Sequence, residues 1–313
     1  MEAIVKDTIN ERGKAINVKA IQIEGKRVVV VQRGILSIAR LKDEWFDDVG
    51  DPEVILNALA QSQTKPDIFT FWQRLPDTVP AYPYPREEEA LSAIPLKDFN
   101  HWWTSQINSD ARKKAKRAEK RGVEIRLAPL DDDLVNGVMG IFNESPIRQG
   151  KPFWHFGKKF DDVKEILSRD VATSKFLACY YGTELVGLAK LNYAGQRFVN
   201  PGLFLTKHEF RREKYLDNAL MAKAIEICTA DGVSYFTYAH WRRGNHAEFL
   251  RRNGFEKTLI PRYWIPLTAK GKIAMRLGFH REARNRIPEW LYDALLNVRA
   301  KYYSYKYKSA GDA

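Results

Sequence analysis

The chain has 313 residues, 44% of them hydrophobic and 12% aromatic, enough to bury a sizeable core and more than one average domain needs. No run approaches the roughly 18–20 apolar residues of a spanning helix, and the opening MEAIVKDTINERGK is charged where a secretory leader would be apolar, so a cytoplasmic protein is expected. The balance of 51 Lys and Arg against 39 Asp and Glu, +12 in all, predicts a polyanionic partner: a tRNA, another nucleic acid, a phosphorylated cofactor or an anionic membrane surface.

In chain order, two β-branched runs around Glu24-Gly25 predict a hairpin at 18–23 and 26–31. Pro52 at the head of EVILNALAQS predicts a short helix, and DIFTFWQRL at 67–75 a strand. Four prolines in PDTVPAYPYP at 76–85 predict a stiff linker. Asp110 is expected to cap a helix whose body ARKKAKRAEKR ends at Gly122, and seven of the ten residues 112–121 are Lys or Arg. That face is either solvated or laid against phosphates. From Val123 onward the expected order is strand (123–128), helix (131–142), loop (143–157), helix (160–168) and strands at 175–181, 184–193 and 198–206. A helix (215–230), a strand (233–239), a helix (245–253) and a last strand (255–267) follow. Cys179 and Cys228 fall in core-like segments, away from any ligand-spaced Cys or His, so buried thiols and no metal site are expected.

This β-α-α-β-β-β-α-β-α-β order resembles the GNAT superfamily of N-acyltransferases over residues 122–268. The joint GNHAEFLRRNGFEK is similar to that family's closing helix and strand, with Asn245, Ala247, Leu250, Gly254 and Phe255 at the matching places. In the family an Arg-x-x-Gly-x-Gly/Ala loop seats the donor pyrophosphate on the N-terminus of the central helix, where small residues let the backbone approach. The matching stretch, RREKYLDNALM, puts Arg212 at the arginine position but Tyr215 and Asp217 where glycines belong, and Leu250 takes the place of the frequent tyrosine acid. Fem-type aminoacyltransferases, which build peptidoglycan bridges from aminoacyl-tRNA with GNAT-like domains lacking the CoA loop, fit these departures. They commonly begin a domain with a basic helix ending in Lys-x-Gly-Val, which Arg121-Gly122-Val123 resembles.

The resemblance implies a mixed α/β sheet fold: a GNAT-like domain at 96–268 with a basic entry helix, preceded at 1–95 by an α/β extension or a truncated first GNAT-like domain. A basic, aromatic helical tail follows at 269–313. It also implies acyl transfer to an amine from a donor that is either aminoacyl-tRNA or acyl-CoA, the former favoured, with no tightly bound cofactor. A non-catalytic nucleic-acid-binding protein is the competing reading, as is an acyl-CoA-dependent acetyltransferase, including one acting on modified nucleic acid.

Acyl transfer to an amine needs proton acceptors and donors beside an oxyanion site. The loop NESPIRQGKPFWHFGKK at 143–159 supplies Glu144 and His155 as catalytic candidates and Arg148, Gln149 and Trp154 as substrate contacts. Its other reading is a surface loop pinned to the core by Phe153, Trp154 and Phe156. Alternation on YFTYAHW puts the candidate catalytic residues Tyr238 and His240 on one face, with Arg242 beyond for phosphate or carboxylate. Tyr193 is a further substrate candidate. Donor contacts are expected from Arg211, Arg212, Lys214, Asn218 and Asn245, and polyanion contacts from Arg117, Lys120 and Arg121. In the tail, Trp290, Leu291, Leu295 and Val298 have core-facing spacing, and tyrosines alternating with lysines from Lys301 can stack bases or anchor the segment.

Overall fold

The computed structural model describes residues 4–11, 14–148, 150–241, 245–281 and 289–308. The chain begins with β1 (Ile4–Glu11), β2 (Lys14–Ile23), β3 (Lys26–Arg33), β4 (Leu36–Leu41), α1 (Pro52–Gln61), β5 (Ile68–Trp72) and β6 (Arg86–Pro95). Next come α2 (Phe99–His101), a π-helical turn (Trp102–Gln106), α3 (Ser109–Lys120), β7 (Val123–Ala128), α4 (Asp132–Asn143), the short β8 (Ile147–Arg148) and β9 (Lys151–Pro152), and α5 (Phe160–Ser168). The remainder is β10 (Ser174–Tyr181), β11 (Glu184–Ala194), β12 (Phe198–Thr206), α6 (His208–Lys214), α7 (Leu216–Ala230), β13 (Tyr235–His240), α8 (Asn245–Arg252), β14 (Glu256–Pro266), α9 (Ala269–Arg276) and α10 (Glu289–Lys308).

These elements divide into two compact units. The first comprises residues 1–89, 147–154 and 260–313, the second residues 90–146 and 155–259. The unit borders thus differ from the sequence-based ones at 95 and 268. Residues 262–266 of β14 pair antiparallel with β5, which takes the end of that strand into the first unit.

In the first unit β1 to β4 form an antiparallel meander, β4 runs parallel to β5, and β5 is antiparallel to β14. The hairpin turn holds Glu24 at φ 44° and Gly25 at φ 76°, the left-handed pair that suits the twist of the flanking strands. Asp51 caps α1 by accepting from the Glu53 amide, with Pro52 in the first turn. Ile55 and Leu59 of α1 pack on Ile21, Val28, Phe69, Phe71 and Tyr263.

The second unit repeats this pattern with more helix. Strands β7, β10, β11 and β12 are antiparallel neighbours, β12 runs parallel to β13, and β13 is antiparallel to β6. Its core lies between this sheet and α7, on which α3 packs through Ala111, Ala115 and Ala118. Asn108, not Asp110, caps α3: its side chain accepts from the Asp110 amide at 2.8 Å, leaving Asp110 to pair with Lys114 inside the first turn. Gly254, at φ +87°, turns α8 into β14, and a Cβ there would meet the Gln106 carbonyl at 3.2 Å. Buried Trp102 fastens that joint by donating from Nε1 to the Asn253 carbonyl at 3.0 Å.

Beyond the sequence reading, the structure adds β1, β4, β6, α2 with its π-helical turn, β8, β9, α6 and α9. Strand β6 begins directly after the proline-rich linker with REEEA, whose acidic residues hid it. Leu295 and Val298, expected in a core, are 53% and 66% exposed.

Candidate active site

Strands β12 and β13 are bonded at only two positions, Phe198 to Tyr235 and Val199 to Phe236, and then diverge. Local sequence explains the parting. Pro201 has no amide to give to a ladder, β12 shifts register against β11 between Lys190 and Leu191, and β13 bulges against β6 between Thr237 and His240. The Thr237 hydroxyl donates to the Val199 carbonyl at 3.0 Å, holding the apex of the wedge.

Tyr238 lies in this wedge. Its ring meets Phe204 at 5.9 Å, Phe255 at 6.3 Å and the imidazole of His246 at 5.0 Å between centroids. Burial raises the pKa of its hydroxyl, the Asp217 carboxylate adds to the rise, and Arg211 opposes it. A hydroxyl so placed keeps its proton at neutral pH and can act as a hydrogen-bond donor or general acid rather than as a base.

At the start of α7 stands Asp217. It accepts from the Thr206 hydroxyl at 2.6 Å and pairs with Nε of Arg211, its own side chain only 14% exposed. A carboxylate fixed in the first turn of a helix satisfies the positive helix end that would otherwise attract an anion. Tyr215, at φ 55°, joins α6 to α7 with its carbonyl accepting from the Asn218 and Ala219 amides, and the Arg121 guanidinium covers its ring at 4.9 Å. Lys214 donates to the Tyr181 hydroxyl at 2.9 Å. The expected donor contacts Arg211 and Lys214 are thus engaged within the protein, and Asn218 serves through its amide in the helix. The side chains of Arg212 and Asn245 lie outside the described residues.

The remaining candidates scatter. Glu144 accepts from the Glu209 amide at 3.2 Å at the head of α6, and His155 stacks on Phe142 at 4.3 Å. Asn143 pins their loop by accepting from the Gly157 amide at 2.7 Å and donating to the Lys158 carbonyl at 3.2 Å. Of the loop's aromatic residues, Phe153 is half-buried, Trp154 is 57% exposed and Phe156 45% exposed. Arg148 lies over Phe153 at 4.8 Å, and both belong to the first unit with Trp154. Gln149 and Arg242 lie outside the described residues.

The bulge in β13 changes one expectation. Thr237 and His240 oppose Ala93 and Leu91, residues two apart on β6, so His240 shares the face of Thr237 and the bulge breaks the alternation that linked it to Tyr238. Tyr193 donates to Asp231 at 2.6 Å, and Lys175 pairs with the same carboxylate at 2.7 Å, at the C-terminal end of α7. Burial raises its pKa, as it does for the buried Cys228 thiol, pushed up to about 12. Cys179 is likewise pushed up to about 12 by burial, with Asp217 adding to it.

Arg117 and Lys120 occupy the exposed last turn of α3, and Arg121 donates to the Glu213 carbonyl, placing that turn beside the α6–α7 junction. Sequence reading missed His246 and Phe204 and took Asp217 only as an obstacle. The signal available for His246 was its place directly after Asn245 in the helix–strand joint. Among the described residues no group of three or more His, Cys, Asp or Glu is placed to hold a metal ion.

No family model matches the chain, and no curated protein sequence matches it. Solved structures do match it in fold. The C-terminal DUF2156 domain of an Agrobacterium fabrum protein described as a lysylphosphatidylglycerol synthetase superposes with a TM-score of 0.54 at 13% identity, over 83% of this chain and 87% of that one. A lysylphosphatidylglycerol synthetase from Bacillus licheniformis gives 0.53 at 12% identity, over 83% and 87%. FemX gives 0.51 at 8% identity, over 83% and 88%. The fold is GNAT-like, with the FemX type of protein among its structural neighbours. Among the described residues no helix is long and apolar enough to cross a membrane.

Proposed function

We propose that the second unit is an N-acyltransferase whose donor is an aminoacyl ester, as on aminoacyl-tRNA, rather than an acyl-CoA. The observation that carries this reading is the closed corner at α7, where Asp217 occupies the helix end on which a pyrophosphate would sit, tied to Thr206 and Arg211. A CoA pyrophosphate brought there would meet a carboxylate in place of free helix-end charge. An aminoacyl ester has no pyrophosphate, and its polyanionic body needs a basic face instead, which Arg117, Lys120 and Arg121 provide beside the same junction. The lysyl group in the names of two similar structures agrees with such a donor.

In this reading the open wedge receives the ester. The acceptor amine attacks the carbonyl carbon, the new C–N bond forms, and the bond to the ribose oxygen breaks. Tyr238 donates its proton to the departing oxygen and recovers one from the amine, so no net proton is consumed at the site. A hydroxyl kept protonated by burial suits that role.

The test is single-turnover discharge of aminoacyl-tRNA carrying a labelled amino acid onto a panel of amines, run beside labelled acetyl-CoA. Discharge from tRNA is expected, with no binding of acetyl-CoA tighter than about 1 mM, roughly −4 kcal/mol. Acetyl transfer without tRNA discharge would overturn the donor assignment. Salt-dependent tRNA binding with neither activity would instead establish the non-catalytic nucleic-acid-binding reading.

A further inference from the structure

The C-terminal helices of the first unit carry a feature that acyl transfer does not use. Helix α9 is buried on one side, with Ala274 in a cluster with Ile68 and Trp264 and Met275 packed against it. On its other side Ile273 and Leu277, one turn apart, are 58% and 61% exposed, and Phe279 just beyond is 49% exposed. On helix α10, Leu295, Val298, Tyr302 and Tyr305 are 53%, 66%, 58% and 77% exposed, and their spacing of three, four and three residues makes one stripe. Exposed cations border both, Lys272 and Arg276 on α9 and Lys301 and Lys306 on α10. Residues 270–308 hold ten Lys and Arg against three acids, most of the net charge of the whole chain.

Apolar side chains left in water in two successive helices are costly without an occupant, and their chemistry selects one. A nucleic acid would use the tyrosines and lysines but gains nothing from Ile273, Leu277, Leu295 and Val298, which offer no stacking face. A second copy of the chain laid parallel on the α10 stripe would bring the bordering lysines of both copies together. A bilayer surface uses every part: aliphatic side chains enter the acyl boundary, tyrosines sit at headgroup level, and lysines reach anionic headgroups. With no described helix apolar enough to cross, such helices lie on the surface rather than span it.

We propose that the outward faces of α9 and α10 are an interfacial docking surface for an anionic lipid bilayer. The experiment is vesicle flotation of the full chain with phosphatidylcholine alone and with about one-third phosphatidylglycerol, at low and high salt. Binding is expected only to the anionic vesicles and is expected to weaken with salt. Leu295→Asp with Val298→Asp should lower the partition coefficient by about tenfold or more, as should Ile273→Asp with Leu277→Asp. Replacing Lys301 and Lys306 by Glu should lower it by about thirtyfold or more, each lost lysine being worth about 1 kcal/mol at such a surface. Unchanged thermal unfolding certifies each variant, and the α9 pair carries the test if the α10 pair misfolds. Equal flotation on neutral vesicles, no flotation of the unaltered chain, or full flotation of the folded variants would each overturn the proposal. So would variants that keep vesicle binding but lose self-association or nucleic-acid binding, since those outcomes name another occupant.

Discussion

In the first unit the helix between the parallel strands, α1, begins beneath tyrosines; in the second the corresponding helix, α7, begins at Asp217 near an open wedge. The strand pattern is otherwise the same, four antiparallel strands, a helical crossover to a parallel strand, then an antiparallel neighbour. The first unit passes from β1 to β2 with only residues 12–13 between, where the second inserts α4 and α5 between β7 and β10. At the parallel step of the first unit, Tyr263 stacks on Phe71 at 4.9 Å and Tyr82 meets both rings edge-on. The Tyr263 hydroxyl donates to Gln73 at 2.9 Å and accepts from the Ala81 amide at 3.0 Å, while Tyr84 donates to Glu53 in the first turn of α1. The three tyrosine hydroxyls there are all taken up inside the protein, so the place is a plug. In the second unit the same topological position holds Tyr238 and a parting pair of strands. One architecture thus serves once as scaffold and once as candidate site, and side-chain filling at the crossover makes the difference.

The sharpest way to break this comparison is Tyr263→Ala, which empties the plug and should cost about 3–5 kcal/mol in denaturant unfolding. The milder Tyr263→Phe removes the hydroxyl's bonds to Gln73 and to the Ala81 and Tyr82 amides while Gln73 and Ala81 still bond each other, and should cost about 1 kcal/mol. An unaffected midpoint would mean that the first unit is not held together there. Next in size, Tyr238→Phe should slow transfer about a hundredfold, close to 2.7 kcal/mol of barrier, while unfolding changes by less than about 1 kcal/mol. Because its pKa is raised, the rate should show no falling alkaline limb from this group below about pH 10. A limb near pH 8 that vanishes in the Phe variant would refute the burial argument.

Asp217→Ala removes the partner of Arg211 and of the Thr206 hydroxyl and should cost about 1–2 kcal/mol of stability. It should also open the α7 corner to anions, so that calorimetry detects CoA binding in the variant and none tighter than about 1 mM in the unaltered protein. No gain of CoA affinity would locate the donor discrimination elsewhere.

The smallest effect concerns acid. Burial of Asp67 works against its ionisation, but Lys270, the amide and hydroxyl of Ser37 and the hydroxyl of Thr268 outweigh it, and its pKa is lowered. Its contribution is therefore full above the unfolded value near 3.9 and is lost as pH falls through the lower folded value. Asp67→Asn should cost about 1 kcal/mol at pH 7 and flatten the stability profile below about pH 4. An equally steep acid limb in that variant would assign the limb to other carboxylates, Glu87 among them, whose pKa the Arg281 and His280 contacts lower against burial.

The sequence by itself determined many of the local elements and the order of those from Val123 onward. Turn residues at 24–25, Pro52, Gly122 and Gly254, together with the apolar periods of β10 to β12 and α7, are short-range signals, and each element they predict is present. The Asn245-to-Phe255 joint and the closed Tyr215-Asp217 corner were legible for the same reason, being contiguous in the chain. What only the tertiary structure decided depends on residues far apart in sequence. Acidic β6 becomes a strand because β13 pairs with it, and the end of β14 joins the first unit because β5 offers it an edge. Asp231 captures the Tyr193 hydroxyl, and His240 parts from Tyr238 because a bulge inserts one residue where period-two reading assumed none. Local propensity cannot register these events, since their free energy lies in contacts that exist only after the chain has closed on itself.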